Sequence, residues 1–206
     1  MKKLFLFVAL SVLVLSACAN NDSQSNTIST VELTERENAI LTITSDKSFV
    51  FDFDIDSEYK ELSVWVEKYE FGKLVDDKIN SIITPVETSG SIVFATSKWD
   101  GSVKHQAFNI GISSNGSTGS SSNLIENLTG LDKMSSVWGD FLEENKSIEG
   151  ELVLASICYS SDDSGMSSLS NDFYNDVEGH MGELDKYDVV YLLKAEFNIG
   201  ENGGDS

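Results

Sequence analysis

Residues 49–56 read Phe49-Val-Phe-Asp-Phe-Asp-Ile-Asp56, and this stretch decides the fold class. From Phe51 onward apolar and acidic residues alternate, so the apolar side chains share one face of a strand and Asp52, Asp54 and Asp56 share the other. Such a period of two is typical of a strand with one buried face and one wet face. Three like charges on the wet face also suggest a sheet edge guarded against pairing with another chain.

Strand signals continue on both sides of this stretch, and tight turns separate them. Phe71-Gly72-Lys73 predicts a hairpin turn, and Asp100-Gly101 predicts a second one after Trp99. Leu62, Val64 and Val66 would point one way and Trp65 the other, so that strand is expected to have two partly covered faces. The strands expected in this half are residues 40–43, 49–56, 62–66, 74–80, 91–96 and 103–112, with a turn at 45–47.

The C-terminal half predicts two further strands and up to two short helices. Glu151 to Tyr159 is almost continuously apolar, as expected of a central strand covered on both faces. Val189 to Phe197 is a second β-branched and aromatic run. Asn171 to Val177 predicts a short helix, and the Ser/Gly/Asn-rich residues 113–123 predict a long surface loop. A further helix is expected over 132–145, with one apolar face formed by Met134, Val137, Trp138, Phe141 and Leu142.

Many short strands with frequent turns predict a mainly β protein, a β-sandwich with one or two short helices in its C-terminal half. Trp65 on the third expected strand makes the architecture resemble that of immunoglobulin-like domains, although the flanking cysteine pair of those domains is missing. The single β-rich domain is expected over residues 31–199. Residues 200–206 contain three glycines and two acids and are expected to form a disordered tail.

The first 18 residues, MKKLFLFVALSVLVLSAC, have the pattern of a secretory signal. Lys2 and Lys3 precede an apolar run from Leu4 to Leu15 that is interrupted only by Ser11. The run has 12 residues, whereas a helix that spans a bilayer needs roughly 20. It therefore predicts a cleaved signal peptide and not a permanent anchor.

The residues Leu15-Ser16-Ala17-Cys18 resemble the lipobox of bacterial lipoproteins. The resemblance implies that the chain is cut before Cys18 and that a diacylglyceryl group is attached to the Cys18 sulfur. Residues 1–17 would then be the signal peptide, and 18–30 a lipidated N-terminus and flexible tether. The protein would sit on the extracytoplasmic face of a bacterial cell membrane, and the bias towards Lys, Asn, Ile and Ser favours a Gram-positive one. The alternative is an ordinary signal peptide with Cys18 incidental.

The charge of the chain excludes one class of partner. The 206 residues include 14 Lys and Arg against 34 Asp and Glu, a formal net charge of −20. Loss of residues 1–17 removes Lys2 and Lys3 and leaves 12 basic against 34 acidic residues, a net charge of −22. Such acidity argues against nucleic acid as a partner, because every phosphate would be repelled. It should also hold the domain off an anionic membrane surface.

The sequence contains no established catalytic motif and calls for no cofactor. Cys158 lies in an apolar run and would have no disulfide partner if Cys18 is lipidated, so it is expected to be a buried, inert thiol. His105 is expected to be a structural or surface residue. Asp176, Glu178, His180 and Glu183 carry oxygen and imidazole ligands that suit divalent metals, but a solvated acidic loop is the simpler interpretation of this cluster.

The sequence supports two functions from different classes. The leading hypothesis is a membrane-anchored lipoprotein that acts as a non-enzymatic binding or accessory module of the bacterial envelope, with a protein or glycan partner. Trp99, beside a tight turn, is either an exposed anchor for that partner or a core residue at a strand end. The alternative is a metal-dependent hydrolase or cation-binding protein that uses the cluster from Asp176 to Glu183.

Overall fold

Two antiparallel sheets face each other in the computed structural model, which describes residues 26–98, 105–126, 130–162 and 165–200 without the side chains at 126 and 132. The described helices are α1 (Glu35–Thr44), α2 (Asn171–Asn175) and α3 (Val177–His180), with 3₁₀ turns at Leu131–Lys133 and Met181–Lys186. The described strands are β1 (Thr27–Thr30), β2 (Ser45–Asp54), β3 (Tyr59–Glu70), β4 (Lys73–Pro85), β5 (Ser89–Ser97), β6 (His105–Ser114), β7 (Ser117–Glu126), β8 (Ser135–Asp140), β9 (Lys146–Ser147), β10 (Glu151–Ser160) and β11 (Val189–Ile199).

One sheet has six strands in the order β7-β6-β5-β2-β1-β9, and the other has five in the order β4-β3-β11-β10-β8. Every strand pair is antiparallel. The predicted mainly β sandwich is therefore confirmed. The apolar run 151–159, predicted to be a central strand, is β10, and the run 189–197 is β11; the two strands pair with each other inside the five-stranded sheet.

Aromatic side chains join the inner faces of the two sheets. Phe94 and Phe108 of the six-stranded sheet stack with their ring centroids 5.9 Å apart, and Tyr191 of the opposite sheet lies 4.8 Å from Phe108. Nearer the N-terminal entry to the domain, Phe53 meets Phe197 edge-on at 5.2 Å. Offset and edge-to-face contacts of this kind stabilise a core beyond the burial of their area. The alternation that begins at Phe51 thus does place the apolar face of β2 in the core.

Polar side chains close one side of the sandwich along a line where β4 of one sheet meets β7 of the other, which we call the Asn80 seam. The buried Asn80 amide donates to the carbonyl oxygens of Phe108 at 2.8 Å and Ser121 at 3.3 Å, and it accepts from the Ser121 hydroxyl at 2.6 Å. Asn123 donates to the Ile79 carbonyl oxygen across the same seam. Side-chain amides thereby satisfy backbone acceptors on the edge strands β4 and β7 and on the neighbouring strand β6.

A helical segment covers part of the outer face of the five-stranded sheet. This covering segment, residues 165–187, contains α2, α3 and the second 3₁₀ turn. Its side chains Phe173 and Leu184 are fully buried, and the Tyr174 hydroxyl lies 2.8 Å from Ser156 of β10. The short helix expected at Asn171–Val177 is confirmed, although it ends at Asn175 and a second helix begins at Val177.

The strand predicted at residues 40–43 is wrong, because this stretch belongs to α1. Thr34 forms a capping box with Glu37: its hydroxyl accepts from the Glu37 amide, and the Glu37 carboxylate accepts from the Thr34 amide. This T-x-x-E pattern is a local helix-start signal that outweighs the strand preference of Ile40 and Ile43. No residue of α1 is buried, so the cap and not packing fixes its conformation.

Two predictions in the second half of the chain are also wrong. Residues 113–123 are not a loop: Asn115 and Gly116 both adopt positive φ, and this two-residue turn joins β6 to β7. Asn-Gly is the strongest short hairpin signal and accounts for the difference. Residues 132–145 contain a 3₁₀ turn and β8 in place of a long helix, because residues 135–140 pair with the exposed edge of β10.

The N-terminal boundary and the role of the aspartates need correction as well. Residues 27–30 form β1 between β2 and β9, so the tether predicted to extend to residue 30 is too long. Because β2 is an interior strand, its aspartates guard no edge; Asp52 accepts a hydrogen bond from Ser91 of β5 on the outer face.

Some predictions concern residues that the structure does not describe: Cys18, residues 1–25, Trp99 to Gly101 and residues 201–206. Within the described ranges, no helix has the length and apolarity needed to cross a bilayer.

Of the remaining turn predictions, the one at Phe71-Gly72 is confirmed, and the one at 45–47 is wrong because these residues begin β2. Phe71 and Gly72 adopt positive φ of 48° and 72° and join β3 to β4 as the predicted hairpin. Strands β5 and β6 pair antiparallel, as the strand signals around the Asp100-Gly101 turn predicted. The Asp100-Gly101 turn itself lies outside the described residues.

We expect Asn80→Ala to destabilise the domain by about 2 kcal/mol, because it leaves buried carbonyl groups at the seam without donors. Urea unfolding followed by circular dichroism measures the change. Asn109→Ala is the matched control, since Asn109 also bonds a carbonyl oxygen and a serine hydroxyl but lies on the partly exposed outer face. Equal losses in the two variants would show that the seam has no special role.

Candidate functional site

A groove of about 820 Å³ opens beside the outer face of the five-stranded sheet. Lys194 of β11 and Glu151 of β10 form its floor. One wall is the segment 143–149, which follows β8 and includes β9, and the other is the end of α2 with α3. Five carboxylates and two ammonium groups line it, which is why we call it the acidic groove: Glu143, Glu149, Glu151, Asp176 and Glu178, with Lys146 and Lys194.

A buried network of charges lies under the floor of the acidic groove. The Lys194 ammonium is 2.9 Å from the Glu67 carboxylate and 2.6 Å from that of Glu151. Glu67 also accepts hydrogen bonds from the Trp65 indole at 3.2 Å and the Tyr69 hydroxyl at 2.7 Å. Because Glu67 and Lys194 are both buried, their charges are tolerable only while they are paired and hydrogen-bonded.

The alternation of two neighbouring strands builds this network. Leu62, Val64 and Val66 of β3 point into the core, so Trp65 and Glu67 point to the outer face of the sheet. Strand register then places Lys194 directly opposite Trp65. Trp65 is buried but stands apart from the core between the sheets, so it does not play the part of the core tryptophan in the immunoglobulin-like architecture that it resembled.

Burial shifts the ionisation of several groups around the groove. It raises the pKa of Tyr69, and the hydrogen bond to Glu67 and the charge of that carboxylate act in the same direction, so Tyr69 stays a proton donor. Burial lowers the pKa of Lys146, and the negative charge of Glu143 partly offsets the effect. The Lys146 ammonium donates to the Tyr174 carbonyl oxygen and the Asn175 side chain, both at 2.9 Å, and so holds the end of α2 against β9.

A smaller depression of about 280 Å³ continues the surface beyond Glu151, which lines both cavities. Trp65, Ile83 and Glu196 line this second depression, and the buried Glu67 lies at its base. Ile83 is exposed although it is a large apolar residue. The outer face therefore offers an aromatic and aliphatic area next to the strongly negative groove.

The acidic groove suits binding of positively charged groups. Carboxylates outnumber ammonium groups by five to two in its lining, and the Lys194 charge is already shared by two carboxylates. No histidine or cysteine lines it. An ammonium or guanidinium group entering the groove would find carboxylate acceptors on both walls, and charge-assisted hydrogen bonds are about twice as strong as neutral ones.

The structure does not bring the four residues of the predicted acidic cluster to one point, although the His180 ring lies 3.9 Å from the Asp176 carboxylate. Asp176 and Glu178 face the acidic groove, but His180 bonds through its ring to the Asp176 carbonyl oxygen at 2.9 Å. Glu183 accepts from the amide and hydroxyl of Ser170 instead. Burial would raise the pKa of Glu183, but the two bonds from Ser170 outweigh it and lower the pKa. In the part of the chain that the structure describes, no three His, Cys, Asp or Glu residues are placed to hold a metal ion.

The other residues singled out from the sequence take no part in the groove. Cys158 is a free, fully buried thiol, and burial raises its pKa to about 12, as expected of an inert position. His105 begins β6 and lies outside both cavities. The sequence did not reveal Glu67 and Lys194 as partners. The signal that could have found them is a single lysine inside the apolar run of β11 opposite a strand with two covered faces.

Fold and site together define a two-sheet antiparallel β-sandwich with an acidic groove on one outer face. The profile of the YgaN domain family matches residues 27–197, which include every described strand up to the last two residues of β11. The chain therefore belongs to the YgaN domain family. Comparison with curated proteins and with solved structures finds no match.

We expect Lys194→Met to destabilise the domain by about 3–5 kcal/mol, because it leaves the buried Glu67 carboxylate without a counter-charge. Lys68→Met on β3 is the control: Lys68 pairs with the more exposed Glu70, and its loss should cost less than about 1 kcal/mol. Adding Glu67→Gln to Lys194→Met should restore part of the lost stability. Denaturant unfolding measures all three variants, and a Lys194→Met loss no larger than that of the control would contradict the role of the network.

Proposed function

We propose that this protein is a lipid-anchored, extracytoplasmic binding module of the bacterial envelope that takes positively charged segments of an envelope protein into its acidic groove. The observation that carries the proposal is the groove itself, lined by five carboxylates against two ammonium groups. The module acts by binding and not by catalysis. Nucleic acid is no partner in this proposal, since the phosphates would be repelled by the groove and by the net charge of −20.

The buried network supports the proposal because it makes the floor of the groove rigid before a ligand arrives. Lys194 is held by two carboxylates, and Glu67 is held in turn by Trp65 and Tyr69. A preformed site spends less binding free energy on ordering its own side chains. The excess negative charge further attracts a cationic partner from a distance and speeds association.

The anchor also fits the position of the groove. Eight residues, 19–26, separate Cys18 from β1, and eight extended residues reach at most about 29 Å. Lys146 and Ser147 of the groove wall pair with Ile28 and Thr27 of β1. The groove therefore lies next to the point where the tether enters, and a lipid group on Cys18 would keep it close to the membrane. A partner with basic residues near that membrane fits this arrangement.

The groove is tested with an acetylated hexalysine peptide as the probe. We expect the double variant Glu149→Gln/Glu178→Gln to bind it about tenfold more weakly than the unchanged protein, a loss equivalent to about 1.4 kcal/mol. Calorimetry at two salt concentrations measures the affinity, which should fall as salt rises.

Glu32→Gln/Glu87→Gln is the matched control, because it removes the same charge from two exposed positions outside the groove. Its affinity should stay close to that of the unchanged protein. Equal losses in the two double variants would mean that hexalysine binding depends only on the net charge of the protein, and the groove would then not be the binding site.

The lipid anchor is tested separately with Cys18→Ser in a bacterial expression host. We expect the unchanged protein to incorporate an alkyne-labelled fatty acid and to sediment with membranes, while Cys18→Ser takes up no label and leaves the membrane fraction. Cys158→Ser serves as the control and should remain labelled, since Cys158 is buried in β10. A Cys18→Ser protein that still sediments with membranes would refute the anchor.

A further inference from the structure

The edge of the five-stranded sheet at β8 is open. Its six residues, Ser135–Asp140, pair with β10 in a continuous register without a bulge. Among the described residues, no hydrogen bond is made by the β8 backbone on the side away from β10. A row of unpaired amide and carbonyl groups is thus available along β8, and such a row is a template for another strand.

The other sheet edges are better protected than β8. Strand β4 carries Lys73 and Lys78 and ends at Pro85, and the Asn80 seam joins it to β7. Strand β9 has only two residues. Strand β8, in contrast, contains no lysine, arginine or proline in its sequence Ser-Ser-Val-Trp-Gly-Asp. Lysine, proline, bulges and a two-residue length, all usual protections of an edge, are absent from β8, and its single charge, Asp140, stands at its last residue. Residues 135–139 therefore form a pairing edge.

The surroundings of β8 specify the chemistry of a strand that would pair with it. Trp138 is half exposed, and the Lys47 ammonium lies 4.9 Å from its ring centroid. Asp140, Glu143 and Glu144 follow at the C-terminal end of β8, whereas Lys133 precedes its N-terminal end. Glu143, three residues after the end of β8, also lines the acidic groove, so the C-terminal end of β8 lies near the groove.

We infer that β8 accepts an extended segment of the partner polypeptide as a sixth, antiparallel strand of this sheet. An apolar side chain of that segment packs beside Trp138, and basic residues at its N-terminal end pass Asp140 and enter the acidic groove. Main-chain hydrogen bonds supply the affinity and the side chains the specificity, as in other cases of strand addition. This inference rests on the proposed function and names how the same partner docks.

A second copy of this chain fits the edge less well. In an antiparallel β8–β8 pair, two chains would approach each other, each with a net charge of −22 after loss of residues 1–17, and no basic segment would enter either groove. Charge complementarity therefore favours a partner with a basic extended segment. Self-pairing is retained as an outcome that would overturn the assignment.

The test uses two synthetic peptides capped at both ends, Lys-Lys-Thr-Val-Thr-Val-Thr and its non-pairing counterpart Lys-Lys-Thr-Pro-Thr-Pro-Thr. Calorimetry measures affinity, and hydrogen exchange measures protection of the β8 amides. We expect the valine peptide to bind at least about tenfold more tightly than the proline peptide and to slow exchange in β8. Ser135→Lys, which places a lysine on the edge, should cancel most of that advantage.

Thr88→Lys is the control for Ser135→Lys, because it adds the same charge at an exposed position between β4 and β5. Its affinity for the valine peptide should not fall. Circular dichroism establishes that both variants fold.

The remaining outcomes separate the inference from the proposed function. If both peptides bind with equal affinity and only Glu149→Gln/Glu178→Gln lowers that affinity, the groove is supported as the binding site and strand addition is contradicted. If that double variant changes neither affinity while the valine peptide still slows exchange in β8, strand addition at β8 is supported and binding in the acidic groove is contradicted. A dimer that sediments without peptide and dissociates on Ser135→Lys would assign the edge to a second copy and overturn the inference.

Discussion

The ammonium group of Lys194, held between the carboxylates of Glu67 and Glu151, is the interaction on which the outer face of the five-stranded sheet depends. Apolar packing buries the inner faces of strands β3, β10 and β11, so the polar groups on their outer faces must be covered or hydrogen-bonded as well. The covering segment does this with apolar side chains over one half. Over the other half, the charged and hydrogen-bonded side chains around Glu67 and Lys194 satisfy one another instead. Replacing the apolar cover with a paired network leaves that half open to solvent as a groove.

This division explains why one sheet carries the candidate site and the other does not. On the six-stranded sheet, the outer face is built from small polar residues whose side chains bond to one another, as Asp52 does with Ser91 and Asn109 with Ser122. The five-stranded sheet has instead a groove walled on two sides, a neighbouring apolar area around Trp65 and Ile83, and one unprotected edge.

The sequence predicted correctly the elements with a regular hydrophobic periodicity, and the predictions were wrong where helix and strand signals overlapped. The alternation around Phe51, the apolar runs of β10 and β11, and the Phe71-Gly72 turn were all interpreted correctly. Residues 40–43 have the composition of a strand, but the capping box of Thr34 starts a helix that includes them. Around Trp138, apolar spacing fits a helix as well as a strand, and only the free edge of β10 decides between them. The Glu67–Lys194 pair depends on strand register, which the sequence does not specify.

The short strand β1 also determines how the domain would respond to mechanical force. The chain enters at Thr27, and β1 makes only four residue pairs with β2 and two with β9. A pull on the N-terminus along the strand direction would load these hydrogen bonds in parallel as shear, which resists better than peeling them one at a time. Loss of β1 would also release β9, and with it Lys146, one wall of the groove. Tension at the N-terminus and occupancy of the groove are therefore mechanically coupled through one four-residue strand.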